Sequence, residues 1–315
     1  MSTPISVTVP ATTANIGPGF DCLGAALTLY NHFRFTALDG AAGTVAIAVS
    51  GLEADRVVMD SSNLVYKAFT YFYEQQGLAV PAVEIAIDLA VPLARGLGSS
   101  STAIVGGLLG ANALCETPLD QSAVVEMAIA LEGHPDNVVP ALIGGCQLAV
   151  GNADGPATLC PIPWHADIVP VVIVPDFELS TAAARQVLPT SYSRADAIFN
   201  TAHLGLLLRG LESGREDWLR VALGDRIHQP YRQSLIPGYD AVTAAALAAG
   251  AYGLVISGAG PTLLALTPTV HSAAVGDAMA TAWAKTGQSA TTHVLSLDTT
   301  GAQVTPAYTA QASGL

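Results

Sequence analysis

Lysine is almost missing from this chain. Only Lys67 and Lys285 occur in 315 residues, and Lys and Arg together number 12. A surface that binds a polyanion needs a basic face, so this scarcity argues against nucleic acid and against an anionic membrane as partners. It also narrows the chemistry, because a Schiff-base or phosphate-loop lysine has two candidates at most. Charge of either sign is sparse at 12%, and the formal net charge of −13 serves mainly solubility. Cysteine is scarce as well. Cys22, Cys115, Cys146 and Cys160 show no metal-ligand spacing, which points to reduced thiols in a cytoplasmic setting. No basic stretch leads into an apolar one at the start, so no signal peptide is expected. Glycines and polar residues break the longest apolar runs below membrane-spanning length.

What the chain does have is apolar mass. Residues of that kind make up 51%, enough for a large core in two domains or one large one. The 30 glycines and 19 prolines follow no period and mark turns. Alternation at Ile5, Val7 and Val9 predicts a strand, followed by a loop from Pro10 to Gly24. Val45, Ile47 and Val49 alternate in the same way. A helix is predicted over 62–76, starting at Ser62 or Asn63. Val83, Ile85, Ile87, Leu89 and Val91 form the clearest strand, and Ile104, Leu108, Ala111 and Cys115 fall at helical spacing after it. A further helix is expected over 120–131. Asn, Asp, Gly and Pro gather over 152–168 and mark a domain boundary. Beyond it the order is a strand over 169–174, helices at 194–211, 215–223 and 238–249, a strand at 255–256 returning at 263–266, a helix at 270–286 and a strand near 292–297. That is the order of a split βαβ, ferredoxin-like unit. The tail after Asp298 is expected to be loosely ordered.

Between the clearest strand and its helix runs Pro92-Leu93-Ala94-Arg95-Gly96-Leu97-Gly98-Ser99-Ser100-Ser101-Thr102. Gly96 and Gly98 allow a sharp turn and close approach to a ligand. The following helix start offers free N–H groups and the positive end of its dipole. The plain alternative is a strand-to-helix turn with a serine cap. No Gly-Lys-Ser/Thr follows, so this is not a P-loop. The third glycine of a dinucleotide fingerprint is replaced by Ser101. What remains is an anion site suited to phosphate, with hydroxyls able to ligate Mg²⁺.

This loop resembles the second motif of the GHMP kinase superfamily. The segment Val255 to Thr262 resembles that superfamily's C-terminal glycine motif. Val9 to Asp21 (VPATTANIGPGFD) resembles its first motif in the homoserine kinase form, and Glu132-Gly133-His134-Pro135-Asp136-Asn137-Val138 is similar to the same members. Thr181 to Arg185 and Gln229 to Arg232 fit that family too, so the resemblance spans nearly the whole chain. It implies an α+β, two-domain GHMP kinase fold. Residues 1–165 would form a ribosomal-protein-S5-domain-2-like, nucleotide-binding domain, and residues 166–315 a ferredoxin-like one. It also implies ATP and Mg²⁺ as cofactors, a small-molecule substrate and a homodimer.

A zwitterionic substrate such as homoserine needs anions for its ammonium and a cation for its carboxylate. By resemblance, Asn15, Asp21, His134, Asp136, Arg185 and Arg232 bind it, and Asn137, Asp136 and Arg185 are the catalytic group. Asn63 and the loop from Pro92 to Thr102 hold the nucleotide. Ser99 (or Ser100) and Glu132 hold the metal, with Glu126 as the alternative carboxylate. Bland alternatives stand beside these readings: turn formation for Asn15 and Asp21, a solvated surface role for either arginine, a plain helix cap for Asn63. No Asp–Lys base pair is evident, since neither lysine lies in a motif. Ser101-Thr102 departs from the small, Ala-rich helix start usual in the family, which leaves open which hydroxyl faces the metal. The rival readings are a mevalonate or sugar kinase of the same superfamily, and a nucleotide-binding sensor of the same fold without catalysis.

Overall fold

The computed structural model describes residues 3–152 and 155–306. β1 (Ile5–Asn15) and β2 (Gly19–Ala37) form a long antiparallel hairpin, with a register shift between Pro10 and Ala11. The expected loop from Pro10 to Gly24 is therefore mostly strand, and the turn is confined to residues 16–18. The stretch hides its strand character because it is buried on both faces: Ala11, Thr12, Thr13, Ala14 and Leu23 are all inaccessible, so no exposed polar residue alternates with them. β3 (Val45–Gly51) runs parallel to β4 (Val83–Leu89), and the crossover between them carries α1 (Leu64–Gln75).

α1 buries Val65, Phe69, Phe72 and Tyr73, spaced along one face. After β4 come α2 (Ser99–Leu114) and α3 (Gln121–Glu132), the latter capped by the Asp120 side chain on the Ala123 amide and closed by Gly133 in the left-handed region. α4 (Pro135–Ile143) follows at once, with proline at its first position, where no N–H is needed. β5 (Cys146–Asn152) and β6 (Gly155–Ile162) pair as a hairpin. The polar cluster expected over 152–168 thus begins at the end of β5 and takes in β6; residues 153 and 154 lie outside the described ones.

The second half opens with β7 (Ile168–Pro175), then α5 (Thr181–Gln186), α6 (Arg194–Ser213), α7 (Glu216–Ala222), α8 (Gln229–Arg232) and α9 (Tyr239–Ala248). β8 (Gly253–Ile256), β9 (Leu263–Pro268), α10 (Ser272–Lys285) and β10 (Ala290–Val294) complete it. The four strands order as β10-β7-β9-β8, all antiparallel, which is the ferredoxin-like arrangement. The last of them ends three residues earlier than expected. From there the chain crosses to the first sheet, where Leu297 bridges Leu27.

β11 (Gln303–Pro306) then pairs with β1, so the first sheet runs β11-β1-β2-β4-β3, with β5 on β2 and β6 on β5. The tail is ordered that far because Asp298 pins it. Its carboxylate accepts from the Gly301 and Thr300 amides and from the Tyr30 hydroxyl. Residues 307–315 lie outside the described ones. Among the described residues no helix is long and apolar enough to cross a membrane.

Three apolar clusters support the layers. One lies between the first sheet and α1–α4, around Phe33, Phe35, Phe69 and Leu108. One lies between the second sheet and α9 and α10, around Ile173, Met279 and Trp283. The third joins the sheets, with Ile16, Leu23 and Leu97 packed beside Val172, Leu211, Leu223 and Leu264. That shared core fixes the seam along which the three glycine-bearing segments meet.

Gly24 sets how closely α4 approaches β2: a Cβ there would lie 1.7 Å from the Asp136 carbonyl oxygen. Gly24→Ala should destabilise the protein by about 2 kcal/mol or more in denaturant unfolding. Gly205→Ala, on an exposed helical position with nothing within 4 Å, should instead stabilise it by roughly 0.5–1 kcal/mol.

Candidate active site

A cleft of about 570 Å³ opens along that seam. Its floor is the loop from residue 92 to residue 98. Ala94, Gly96 and Gly98 take left-handed backbone at alternate positions, with φ of 51°, 80° and 68°. This pattern belongs to concave anion nests. Gly98 stands at the N-cap of α2 with no side chain satisfying the first amides, so the helix start is open to a ligand. A Cβ on Gly96 would meet the Ser257 carbonyl at 2.4 Å, and only glycine allows that approach.

Not every residue of this loop faces the cleft. Leu93, Ala94, Gly96, Gly98, Ser99, Ser100 and Ser101 line it, while Pro92, Leu97 and Thr102 do not. Leu97 is inaccessible in the shared core, and the Thr102 hydroxyl is used on the Ser99 carbonyl. Arg95 touches the cleft, but its guanidinium is committed elsewhere. It donates to the carbonyls of Leu93, Pro175 and Asp176 and pairs with Glu53 and Glu178. Its side chain fastens the loop to the end of β7, so only its main chain is available to a phosphate. Asn63 lines the cleft as a helix cap: its side chain accepts from the Val65 amide and donates to the Val58 carbonyl.

Glu132, at the end of α3, accepts from the Ser100 and Ser101 hydroxyls at 2.9 and 3.2 Å. Ser99 takes no part in that contact. Glu126 lies away from the cleft, against the Ala157 amide and a small cavity under the β5–β6 hairpin, which removes it as the alternative. One carboxylate with adjacent hydroxyls is a hard oxygen set of the kind Mg²⁺ accepts when phosphate and water complete its shell. No cluster of three His, Cys, Asp or Glu exists among the described residues, so the protein alone builds no closed metal cage.

The opposite wall brings together residues far apart in sequence. Arg185 grips Asp21 through two bonds of 2.9 Å. Asp21 is itself left-handed, as are Asn15 and Ile16, and its amide donates to the Asn15 carboxamide oxygen at 3.0 Å. Asp136 and Asn137 sit in the first turn of α4. The Asp136 carboxylate is 3% exposed and bonds the His134 ring at 2.7 Å and the Asn137 amide at 3.2 Å. Arg232, 2% exposed, donates to the carbonyls of Ala184 and Gly258, and its Nη2 has no partner among the described residues.

Two contributors are not among the site residues that the sequence suggests. The ring of Phe20 lies 5.7 Å from the Arg185 guanidinium and 5.1 Å from that of Arg232, holding both by cation–π attraction. His228 stacks on the same ring, donates from Nε2 to the Gly17 carbonyl and offers Nδ1 to Arg232. It lies four residues before Arg232, which places both on one helical face, but a lone histidine gives no warning of this.

The electrostatics follow from these contacts. Hydrogen bonding to Asp21 holds the Arg185 pKa up, whereas burial and the neighbouring Arg185 push that of Arg232 down. Burial also lowers the His228 pKa, which keeps its ring neutral beside an arginine. The Cys22 thiol is pushed up to about 11 by burial and by Asp136 and Asp21. The Asp136 bond raises the His134 pKa above 6.5, against the opposing effect of burial. A raised cationic pKa contributes stability that is present below the unfolded value and lost as pH rises through the folded one. His134→Gln should therefore lower Tm more at about pH 6 than at about pH 9.

Comparison with known proteins agrees with this architecture. The family model of the GHMP kinases N terminal domain matches residues 63–145, and that of the GHMP kinases C terminal matches 207–285. The homoserine kinase of Trichormus variabilis is 63% identical over 95% of this chain and 98% of its own length. That of Nostoc punctiforme is 64% identical over 95% and 97%. The crystal structure of homoserine kinase from Cytophaga hutchinsonii superimposes with a TM-score of 0.88 at 31% identity, covering 97% of this chain and 98% of that one. The L. major mevalonate kinase in complex with R-mevalonate, at 16% identity over 93% and 96% of the two chains, shares the fold with a TM-score of 0.69. This chain belongs to the homoserine kinase family of the GHMP kinases.

Proposed function

We propose that this protein transfers the γ-phosphoryl group of ATP to the side-chain hydroxyl of L-homoserine, giving O-phospho-L-homoserine and ADP in threonine biosynthesis. The observation that carries this reading is a wall of paired opposite charges, Asp21 and Asp136 beside Arg185 and Arg232, facing a phosphate nest across one cleft. A zwitterion is the ligand such a wall suits. Its ammonium is taken by Asp21 and Asp136, with Asn15 holding the Asp21 backbone amide and His134 the Asp136 carboxylate. Its carboxylate is taken by Arg185 and by the free Nη2 of Arg232. The Asp21–Arg185 pair is more than a third exposed on both sides and contributes about 1 kcal/mol or less. The substrate can therefore part the two groups at little loss.

The nest amides and the start of α2 hold the β- and γ-phosphates, and Asn63 keeps the start of α1 beside the nucleotide. Glu132, with Ser100 in preference to Ser99, is the protein's share of a Mg²⁺ site; the ion would supply charge neutralisation on the phosphates. Asn137 directs an N–H at the transferring group. In-line attack needs positioning more than a strong base. Neither Lys67 nor Lys285 lines the cleft, and the Asp136 carboxylate is engaged by His134 and Asn137, so no Asp–Lys pair serves as a base. The reading divides the chain into residues 1–165 and 166–315, except that β11 returns to the first sheet. A cytoplasmic setting suits the four free cysteines. A homodimer rests on the family alone.

Coupled ADP release over homoserine, mevalonate, galactose and threonine tests the substrate. Homoserine should be turned over with the highest kcat/KM, and turnover of mevalonate in its place would sink the assignment. Arg185→Ala should lower kcat/KM for homoserine by about a hundredfold or more while changing the KM for ATP little. Ser100→Ala and Glu132→Gln should raise the Mg²⁺ concentration needed for half-maximal rate more than Ser99→Ala does.

A further inference from the structure

Thr12 lies on β1, inaccessible to solvent and outside the lining of the cleft. Its amide donates to the Leu97 carbonyl at 3.1 Å. Its hydroxyl donates to the Asn137 carboxamide oxygen at 2.7 Å, a bond buried between residues 125 positions apart. The hydroxyl is wedged against the residue that caps α2: a Cβ on Gly98 would lie 2.0 Å from Thr12 Oγ1 and 3.3 Å from Asn137 Oδ1. The absence of a side chain at position 98 therefore serves this contact as well as the anion nest.

We propose that Thr12 is a positioning residue for phosphoryl transfer, acting by anchoring the Asn137 amide in the sense that the Asp136 carboxylate selects. This rests on the reading that Asn137 serves the reacting group. With Oδ1 held by Thr12, Nδ2 gives one hydrogen to Asp136 and has a second for the cleft. Turned over, the amide would set Oδ1 against the Asp136 carboxylate oxygen and carry no N–H to an anionic phosphoryl group. Thr12 supplies the donor that makes the productive orientation complete. Without it Oδ1 is left buried and unpaired, which favours rotation away from that orientation.

Valine keeps the shape of threonine and loses the hydroxyl; serine keeps the hydroxyl and loses the methyl. A packing role ranks valine above serine, and a positioning role ranks serine above valine. The test measures kcat and both KM values for Thr12→Val, Thr12→Ser, Asn137→Ala and the Thr12→Val/Asn137→Ala pair. The expected result for Thr12→Val is a kcat lower by roughly tenfold to a hundredfold, with both KM values within about threefold of the parent. Thr12→Ser should keep most of kcat. The double variant should be no slower than Asn137→Ala, because the effect of Thr12 passes through that amide. Parental kcat in Thr12→Val with impaired Asn137→Ala overturns the proposal and leaves Asn137 in its role. Parental kcat in Asn137→Ala removes the role of Asn137 and the proposal with it. Should Thr12→Val fail to fold, Thr12→Ala against Thr12→Ser isolates the hydroxyl, and equal kcat values in that pair overturn the proposal.

Discussion

The carbonyl oxygen of Gly258 accepts from two side chains at once, Asn15 Nδ2 at 2.7 Å and Arg232 Nη1 at 3.0 Å. Through Asn15 it sets the Asp21 amide, and with it a carboxylate on the cleft wall. Through Arg232 it sets a cation on the same wall. The same turn donates from the Gly258 amide to Ala14, and from the Ser257 hydroxyl to the Gly96 carbonyl in the phosphate loop. One tight turn of the second sheet thus holds the anionic, cationic and phosphate-binding parts in register. The left-handed residues Asn15, Ile16 and Asp21 each cost about 1 kcal/mol or more. They persist because this turn and the inaccessible Ile16 side chain leave the chain no relaxed alternative.

The charge pattern follows from the same constraint. A protein of net charge −13 that binds a polyphosphate cannot rely on its overall field, which repels the ligand. Attraction has to be local and short-ranged, from amides at a helix start and a few arginines. Before substrate arrives, Asp21 and Arg185 neutralise each other at the cleft surface, and Phe20 holds Arg185 and Arg232 side by side despite their like charge. His228 is tolerable beside Arg232 because burial keeps it neutral. A cationic ring there would add a further positive charge beside a guanidinium that burial and Arg185 already disfavour.

Much of this was legible in the residues. The strand from Val83, the glycine–serine loop and the helix after it follow from alternation, glycine placement and helical spacing, and the ferredoxin-like half follows from element order. The first half of β2 was not legible, because burial on both faces erases the alternation that marks a strand, and its glycines read as loop. β11 was not legible either, since a short polar strand earns its order from β1 and from Asp298. Within the cleft, the sequence motifs mark segments that the fold brings together, but not the direction of each side chain. Thr102, Leu97 and Pro92 point away from the cleft, Arg95 is consumed by β7 and two glutamates, and Ser100 in place of Ser99 meets Glu132. Glu126 and Glu132 fall on different faces of α3, a distinction that only its packing decides. The pairing of Asp21 with Arg185, 164 residues apart, is beyond any local pattern.

The central claim is that opposite charges held by one turn recognise both ends of a zwitterion. Calorimetric binding, at saturating non-hydrolysable ATP analogue and Mg²⁺, of homoserine, 4-hydroxybutyrate and 3-aminopropan-1-ol tests it most directly. The first analogue leaves Asp21 and Asp136 without a cation, and the second leaves Arg185 and Arg232 without an anion. Each should bind more weakly than homoserine by about a hundredfold or more, since the buried Asp136 or the buried Arg232 then lacks the opposite charge that homoserine supplies. Binding of either analogue with the affinity of homoserine would contradict the account.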